Sequence, residues 1–233
     1  DVMADMTSGT RTFFHHHGAN ATFGEEHVEK IKAEAKIFHL GYLLLLKRMD
    51  AADEQYGIVA ARVLDGLQKR GYLTSVDVVS EEGDRFRSVI LPCLEYTDYL
   101  IINEVEAGAC CAMDLRCQSG EIDLEKVKEA AASLLEQGVA RMCVIHFPEG
   151  GFAMSKDGVS EYAPTEMLPK SQIVSSVGAG DAFCAGTLYA LHEGYDMVHM
   201  LHFANACARF NLGNATSTGG APALDTVNEY LNR

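Results

Sequence analysis

The sequence predicts an α/β fold: a mostly parallel, doubly wound sheet flanked by helices, with a small β hairpin or lid element. Three observations carry this. Continuous apolar runs such as Tyr99 to Ile102 and Met142 to Ile145 read as strands buried on both faces. Stretches with apolar residues at helical spacing alternate with them, the pattern of βαβ units. Glycines such as Gly71 and Gly138 close the helical stretches. With 233 residues, 48% of them hydrophobic, the chain can bury one large core.

Taken in order, Thr7-Ser8-Gly9 is a turn and Thr10 to His17 is rich in β-branched and aromatic residues, so a hairpin arm is expected over residues 1–24. The remainder, residues 25–233, is expected to form the α/β core. His15, His16 and His17 invite a metal reading, but on a strand His15 and His17 alone share a face, so the rim of a binding site or a plain exposed strand is expected there instead. A helix is predicted near Glu25 to Glu34 and a strand over Ile37 to Leu40. Tyr56, Val59, Ala60, Val63, Leu64 and Leu67 place a helix over Asp53 to Arg70. Leu73 to Val79 is a strand, Asp84 to Leu94 a helix, Tyr99 to Ile102 a strand, and a short helix follows Asn103. Asp123 to Gln137 is a helix with Leu124, Val127, Ala131, Leu134 and Leu135 on one stripe. Turns at Pro148 to Gly151 and Lys156 to Gly158 frame a small antiparallel excursion between residues 146 and 163. A helix from Gly180 to about His192, apolar on most sides, should be buried. Helices from Met197 to Phe210 and up to Arg233 complete the chain.

Composition excludes several classes. Lys plus Arg is 19 against 33 for Asp plus Glu, a formal charge of -14, with no basic cluster for nucleic acid. The apolar run Tyr42 to Leu46 is far short of the roughly 20 residues that cross a bilayer, so no membrane partner is expected. Seven cysteines include the adjacent Cys110 and Cys111 and lack ligand-like spacing, which suits reduced thiols and a cytoplasmic location. The opening Asp1-Val2-Met3-Ala4-Asp5 has neither an initiator Met nor the regions of a signal peptide, and reads as a chain whose beginning is absent.

Chemistry concentrates at Ser175-Ser176-Val177-Gly178-Ala179-Gly180-Asp181-Ala182-Phe183. A glycine turn leading into a helix aligns free N–H groups with the positive end of the helix dipole, which suits an anion. Asp181 in that turn is either a helix cap or a base. In a sheet of this kind a ligand lies beyond the carboxyl ends of the strands. Asn103 and Glu106, one helical turn apart after a strand, are either hard oxygen ligands for Mg²⁺ or an N-cap with a solvated acid. His146 ends a strand, where it touches a nucleotide or satisfies a backbone carbonyl. Asp77, also at a strand end, lines the site or caps the next turn.

Asn103-Glu104-Val105-Glu106, the turn with Gly151, and Val177 to Phe183 occur in an order and spacing that resembles the ribokinase-like (PfkB) family of sugar kinases. Gly18-Ala19-Asn20-Ala21 before a helix is a further likeness. The resemblance implies a ribokinase-like fold and ATP- and Mg²⁺-dependent phosphorylation of a hydroxyl on a small sugar. It implies that Asp181 is the base and that the amides of Gly178, Ala179 and Gly180 form the anion hole. Glu106 and Asn103 are implied to hold Mg²⁺, Gly151, Asn205 and His146 to lie near the nucleotide, and Gly18, Asn20 and Gly41 near the sugar with Asp77. A homodimer through the arm is a family-level expectation. The sequence departs from the family pattern at Ser175, where Asp is frequent beside a monovalent-cation site, which leaves potassium activation open. It departs again at His146 and Pro148, where the nucleotide turn usually carries Thr and Gly, and in lacking the family's first strand and Gly-Gly segment. The alternative is a non-catalytic sugar or nucleotide binder.

Overall fold

Strands with apolar residues on both faces need cover on both sides, and the order of their pairing decides which edge collects the loops. The computed structural model describes residues 2–4, 11–80 and 85–233. Strand β1 (Val2–Ala4) pairs antiparallel with β2 (Arg11–Phe13) as a separate two-stranded arm. The turn expected at Thr7 to Gly9 lies outside the described residues. Residues 14–17 leave the strand conformation, so the expected β arm is shorter than Thr10 to His17.

The main sheet uses β3 (Ile37–Leu43), β6 (Leu73–Val78), β7 (Tyr99–Asn103), β8 (Met142–Phe147), β9 (Gly150–Ser155) and β10 (Ser160–Pro164), after a small β4 (Ala52–Asp53) and β5 (Gly57–Ile58) pair. Its order is β10-β9-β8-β7-β6-β3. The strands β3, β6, β7 and β8 run parallel, and β9 and β10 are antiparallel. The predicted excursion after residue 146 is therefore an extension of the main sheet, in register from Met142 opposite Ser155 to Phe147 opposite Gly150.

Helices α1 (Glu25–Glu29), α2 (Val59–Lys69), α3 (Arg85–Leu94), α4 (Glu104–Cys111) and α5 (Leu124–Glu136) precede β8; α6 (Ala179–Glu193), α7 (Met197–Leu212) and α8 (Leu224–Leu231) follow β10. Alternation along the strands divides the core in two. Leu100, Ile102, Cys143 and Ile145 join Leu64, Ile90, Ala131 and Leu134 of α2, α3 and α5 on one face. Ile101 and Val144 join Phe183, Cys184, Leu201 and Ala204 of α6 and α7 on the other.

Two helices are shorter than the sequence pattern suggests, for identifiable reasons. The Arg70 guanidinium donates to the carbonyls of Val28 (3.2 Å) and Ile31 (2.6 Å), so these acceptors are met without another helical turn after α1. The Asp53 carboxylate accepts from the N–H groups of Gln55 (3.0 Å) and Tyr56 (2.9 Å), an Asx turn that competes with helix until Val59. Helix α6 is also less buried than its composition suggests, with Phe183, Cys184, Gly186, Thr187 and Ala190 as its covered stripe. At Gly186 a Cβ would fall 2.9 Å from Ala204 Cα, so α6 and α7 approach through that glycine.

Candidate active site

The parallel order brings the carboxyl ends of β3, β6, β7 and β8 to one edge, and the first turn of α6 meets them there. Gly178, the N-cap of α6, sits in the left-handed region at φ 80°, where a Cβ would fall 2.2 Å from the Ser217 carbonyl oxygen. Glycine is required on both counts. The chain thus turns sharply into α6 and leaves Gly178, Ala179 and Gly180 half-buried at the helix start. Asp181 is exposed in that first turn, and the Tyr42 hydroxyl at the end of β3 donates to its Oδ1. Burial and the Asp181 contact push the Tyr42 hydroxyl pKa far above its ordinary value, so it remains a donor.

Asn103 caps α4: its Oδ1 accepts from the Glu106 N–H (2.9 Å), while Glu106 Oε2 accepts from the Asn103 N–H (2.9 Å). Ser80 donates to Glu106 Oε1 at 2.8 Å, and Asn103 Nδ2 donates to Ser80 Oγ at 3.1 Å. The solvated acid weighed from the sequence is corrected here: Glu106 is buried, because α4 folds back over β7 and Ser80 covers the carboxylate. Burial, opposed by the hydrogen bonds from Asn103 and Ser80, pushes its pKa up to about 7. Asp77 is buried at the end of β6 with Oδ1 accepting from the Val78 N–H at 2.7 Å. Burial, then the charges of Glu106 and Asp181, push its pKa up to about 8.

His146 lies under the glycine turn. A Cβ on Gly180 would sit 3.1 Å from His146 Cε1, and the His146 ring tilts against Phe183 with centroids 4.9 Å apart. Burial lowers its pKa to about 4 from an ordinary value near 6.5. The unfolded chain takes up this proton first, so the stability His146 contributes is full above about pH 6.5 and falls as pH drops toward 4. Thermal melts at pH 7 and pH 5 should therefore show a larger loss in the parent than in His146→Gln. Equal losses would show that His146 is not responsible.

The other sequence-derived positions divide. Gly151 is buried where a Cβ would meet the Phe183 ring at 2.7 Å, and Asn205 donates from Nδ2 to the Ala163 carbonyl at 2.9 Å inside α7. Gly41 precedes Tyr42 at the site edge. Gly18 and Asn20 lie exposed on a 3-10 turn, and the arm reaches the site edge through His17 Nδ1, 3.2 Å from the Leu45 carbonyl oxygen. The sequence reading missed Tyr42, hidden in an apolar run, and Ser80, placed two residues past its strand. It also missed His39 and Cys184, which meet beside Asp77. A tyrosine following a glycine at a strand end was the available signal for the first.

The pattern of the pfkB family carbohydrate kinases matches residues 2–224. The chain belongs to that family. This pfkB-family chain is 35% identical over 115 residues to adenosine kinase of Saccharomyces cerevisiae, 48% of the chain and 32% of that relative. It is 30% identical over 110 residues to 1-phosphofructokinase of Haemophilus influenzae, 47% of the chain and 34% of the relative. Its fold superposes on Arabidopsis thaliana ribokinase complexed with ribose and ATP at TM-score 0.73 and 20% identity, over 100% of the chain and 68% of that structure. Thermotoga maritima ribokinase gives 0.70 at 22% identity, again over 100% of the chain and 68% of that structure. The pfkB-family stretches shared with the two sequence relatives thus span about a third of each relative's length. Among the described residues no helix is long and apolar enough to cross a membrane.

Proposed function

We propose that the protein transfers the γ-phosphoryl group of ATP to a hydroxyl of a small sugar or sugar-like alcohol. The observation that carries this reading is the exposed Asp181 carboxylate in the first turn of α6, directly after the Gly178 turn, with Tyr42 donating to one of its oxygens. Phosphoryl transfer demands an in-line nucleophile, a base within reach and fixed dipoles where charge gathers on the transferred oxygens. Asp181 Oδ1 is held by Tyr42, and Oδ2 accepts the proton of the attacking hydroxyl. The amides of Gly178 and Gly180, with that of Ala179 once it leaves the Ser176 carbonyl oxygen 3.4 Å away, serve the transferred group, and the α6 dipole adds to them.

Mg²⁺ fits Asn103 and Glu106 by donor type, since both offer hard oxygens. Each Glu106 oxygen already accepts one hydrogen bond and keeps another lone pair, which suits a metal held through its waters. The bound ion supplies charge neutralisation for the phosphates. His146 supports the glycine turn from below on the nucleotide side, and Gly151 and Asn205 hold α6 and α7 against β9 and β10. Gly41 and Asp77 line the sugar side, and Gly18 and Asn20 belong to its rim. Glu106→Gln removes a charge while keeping the capping box. It should raise the Mg²⁺ concentration needed for half-maximal rate with little effect on sugar KM; superimposable Mg²⁺ titrations would remove Glu106 from this role. The function itself is tested by alcohol-dependent ADP release from ATP over a panel of pentoses, ketoses, keto-deoxy sugars and nucleosides. Binding without ADP release across the panel would favour a non-catalytic binder.

A further inference from the structure

Beside Asp181, side chains of metal-ligand type converge from three elements: His39 on β3, Asp77 on β6 and Cys184 on α6, each offering one ligand atom within 4.8 Å of the others. We propose that these three residues bind a thiophilic divalent cation of the Zn²⁺ class, at a place separate from the Asn103 and Glu106 pair. A mixed nitrogen, oxygen and sulfur donor set suits Zn²⁺ or Co²⁺ and not Mg²⁺, which wants oxygen alone.

The geometry is close to what such an ion requires. His39 Nε2 and Cys184 Sγ are 3.9 Å apart. Tetrahedral bonds of about 2.0 Å to nitrogen and 2.3 Å to sulfur separate those atoms by about 3.5 Å, so a small inward shift of either side chain closes the pair. Ligating histidines are normally oriented through their second nitrogen. His39 Nδ1 lies 3.2 Å from Oγ of the fully buried Ser75, so with Nε2 as ligand the Nδ1–H donates to that oxygen. Asp77 is likewise steadied, with Oδ1 held by the Val78 N–H and Oδ2 left for the ion.

Charge and access agree with this. The acidic neighbours acting on Cys184 are Asp77, Asp181 and Glu106, of which the buried Asp77 and Glu106 hold their protons more tightly than free carboxyls do. Such surroundings oppose a free thiolate nucleophile, whereas a dication turns the same charges into attraction. Binding exchanges the Cys184 thiol proton, and the proton that buried Asp77 retains near neutral pH, for the metal and releases both to solvent. His39 is exposed, and a Cβ on Gly41 would lie 3.0 Å from His39 Nε2, so that glycine keeps the ring nitrogen reachable. Three protein ligands leave a fourth position for water or a substrate oxygen.

Titrating the purified chain with Co²⁺, without ATP, Mg²⁺ or sugar, separates this proposal from the kinase reading. One equivalent should produce a saturating thiolate-to-cobalt charge-transfer band that added Zn²⁺ removes. Cys184→Ser and His39→Ala should lose the band, Cys117→Ser should keep it, and Ser75→Ala should weaken affinity about tenfold. Metal bound by His15 to His17 gives no sulfur band. No band in the parent, or a band of equal strength in Cys184→Ser, overturns the proposal. X-ray absorption on the Zn²⁺-loaded parent, which needs no variant to fold, should show one sulfur at about 2.3 Å, and a shell of nitrogen and oxygen alone overturns it.

Discussion

Asp181→Ala should lower turnover by about 10²–10⁴, the range for loss of a positioned general base, with ATP affinity little changed. The size of that effect separates chemistry from structure. A first-turn acid at an exposed helix start is worth about 0.3–1 kcal/mol to the fold, whereas the expected rate loss corresponds to about 3–5 kcal/mol of barrier. Asp181 is exposed, and the alanine takes the acceptor away from the half-buried Tyr42 hydroxyl alone. Asp181→Asn keeps shape and polarity but cannot accept the proton, and should be about as slow. Coupled ADP-release kinetics with calorimetric ATP titration measure both quantities. Full turnover in either variant would end the role of Asp181 as base.

Gly178→Ala should destabilise the protein by about 1–3 kcal/mol, the cost of a non-glycine residue held in a sparsely populated backbone region. For a domain of this size that is a Tm lowered by about 3–10 °C. The backbone stands at φ 80° and the new methyl would sit 2.2 Å from the Ser217 carbonyl oxygen, so the 213–222 loop must move as well. Gly66 supplies the contrast, since it lies within α2 with nothing within 4 Å of an added Cβ. There the same substitution raises helix propensity, by up to about 1 kcal/mol in an exposed helix, and Tm should hold or rise. Differential scanning calorimetry of the two variants decides the matter: a Gly178→Ala protein as stable as Gly66→Ala would mean that the turn is not constrained. Because the amides of residues 178–180 move with the turn, Gly178→Ala should also lower turnover more than it lowers sugar binding.

Much of the fold was legible because its signals are local. The runs at 99–102 and 142–145 became β7 and β8, and the cap at Asp123 and stop at Gly138 bound α5. Gly138 stops the helix at φ 139°, where a Cβ would fall 2.7 Å from the Glu95 nitrogen. The misjudged boundaries mark competition that periodicity does not register. Tyr56 fits the apolar stripe of α2, yet the Asp53 carboxylate holds its N–H in a turn. The end of α1 is set by Arg70, 42 residues beyond Val28. The antiparallel strands after β8 were foreseen as a hairpin but not as part of the sheet, because nothing in their own sequence says which edge they join.

The sequence by itself determined the alternation of the parallel strands with their helices, the glycine turn before α6, and the acid placed in that helix's first turn. All of these follow from spacing and backbone preference within a few residues. Tertiary structure decided which side chains meet: Tyr42 with Asp181 across 139 positions, Ser80 over a buried Glu106, and His39 with Asp77 and Cys184. Such meetings depend on strand register and on how helices settle onto the sheet. They are sums over many packing contacts, and no short stretch of sequence contains them.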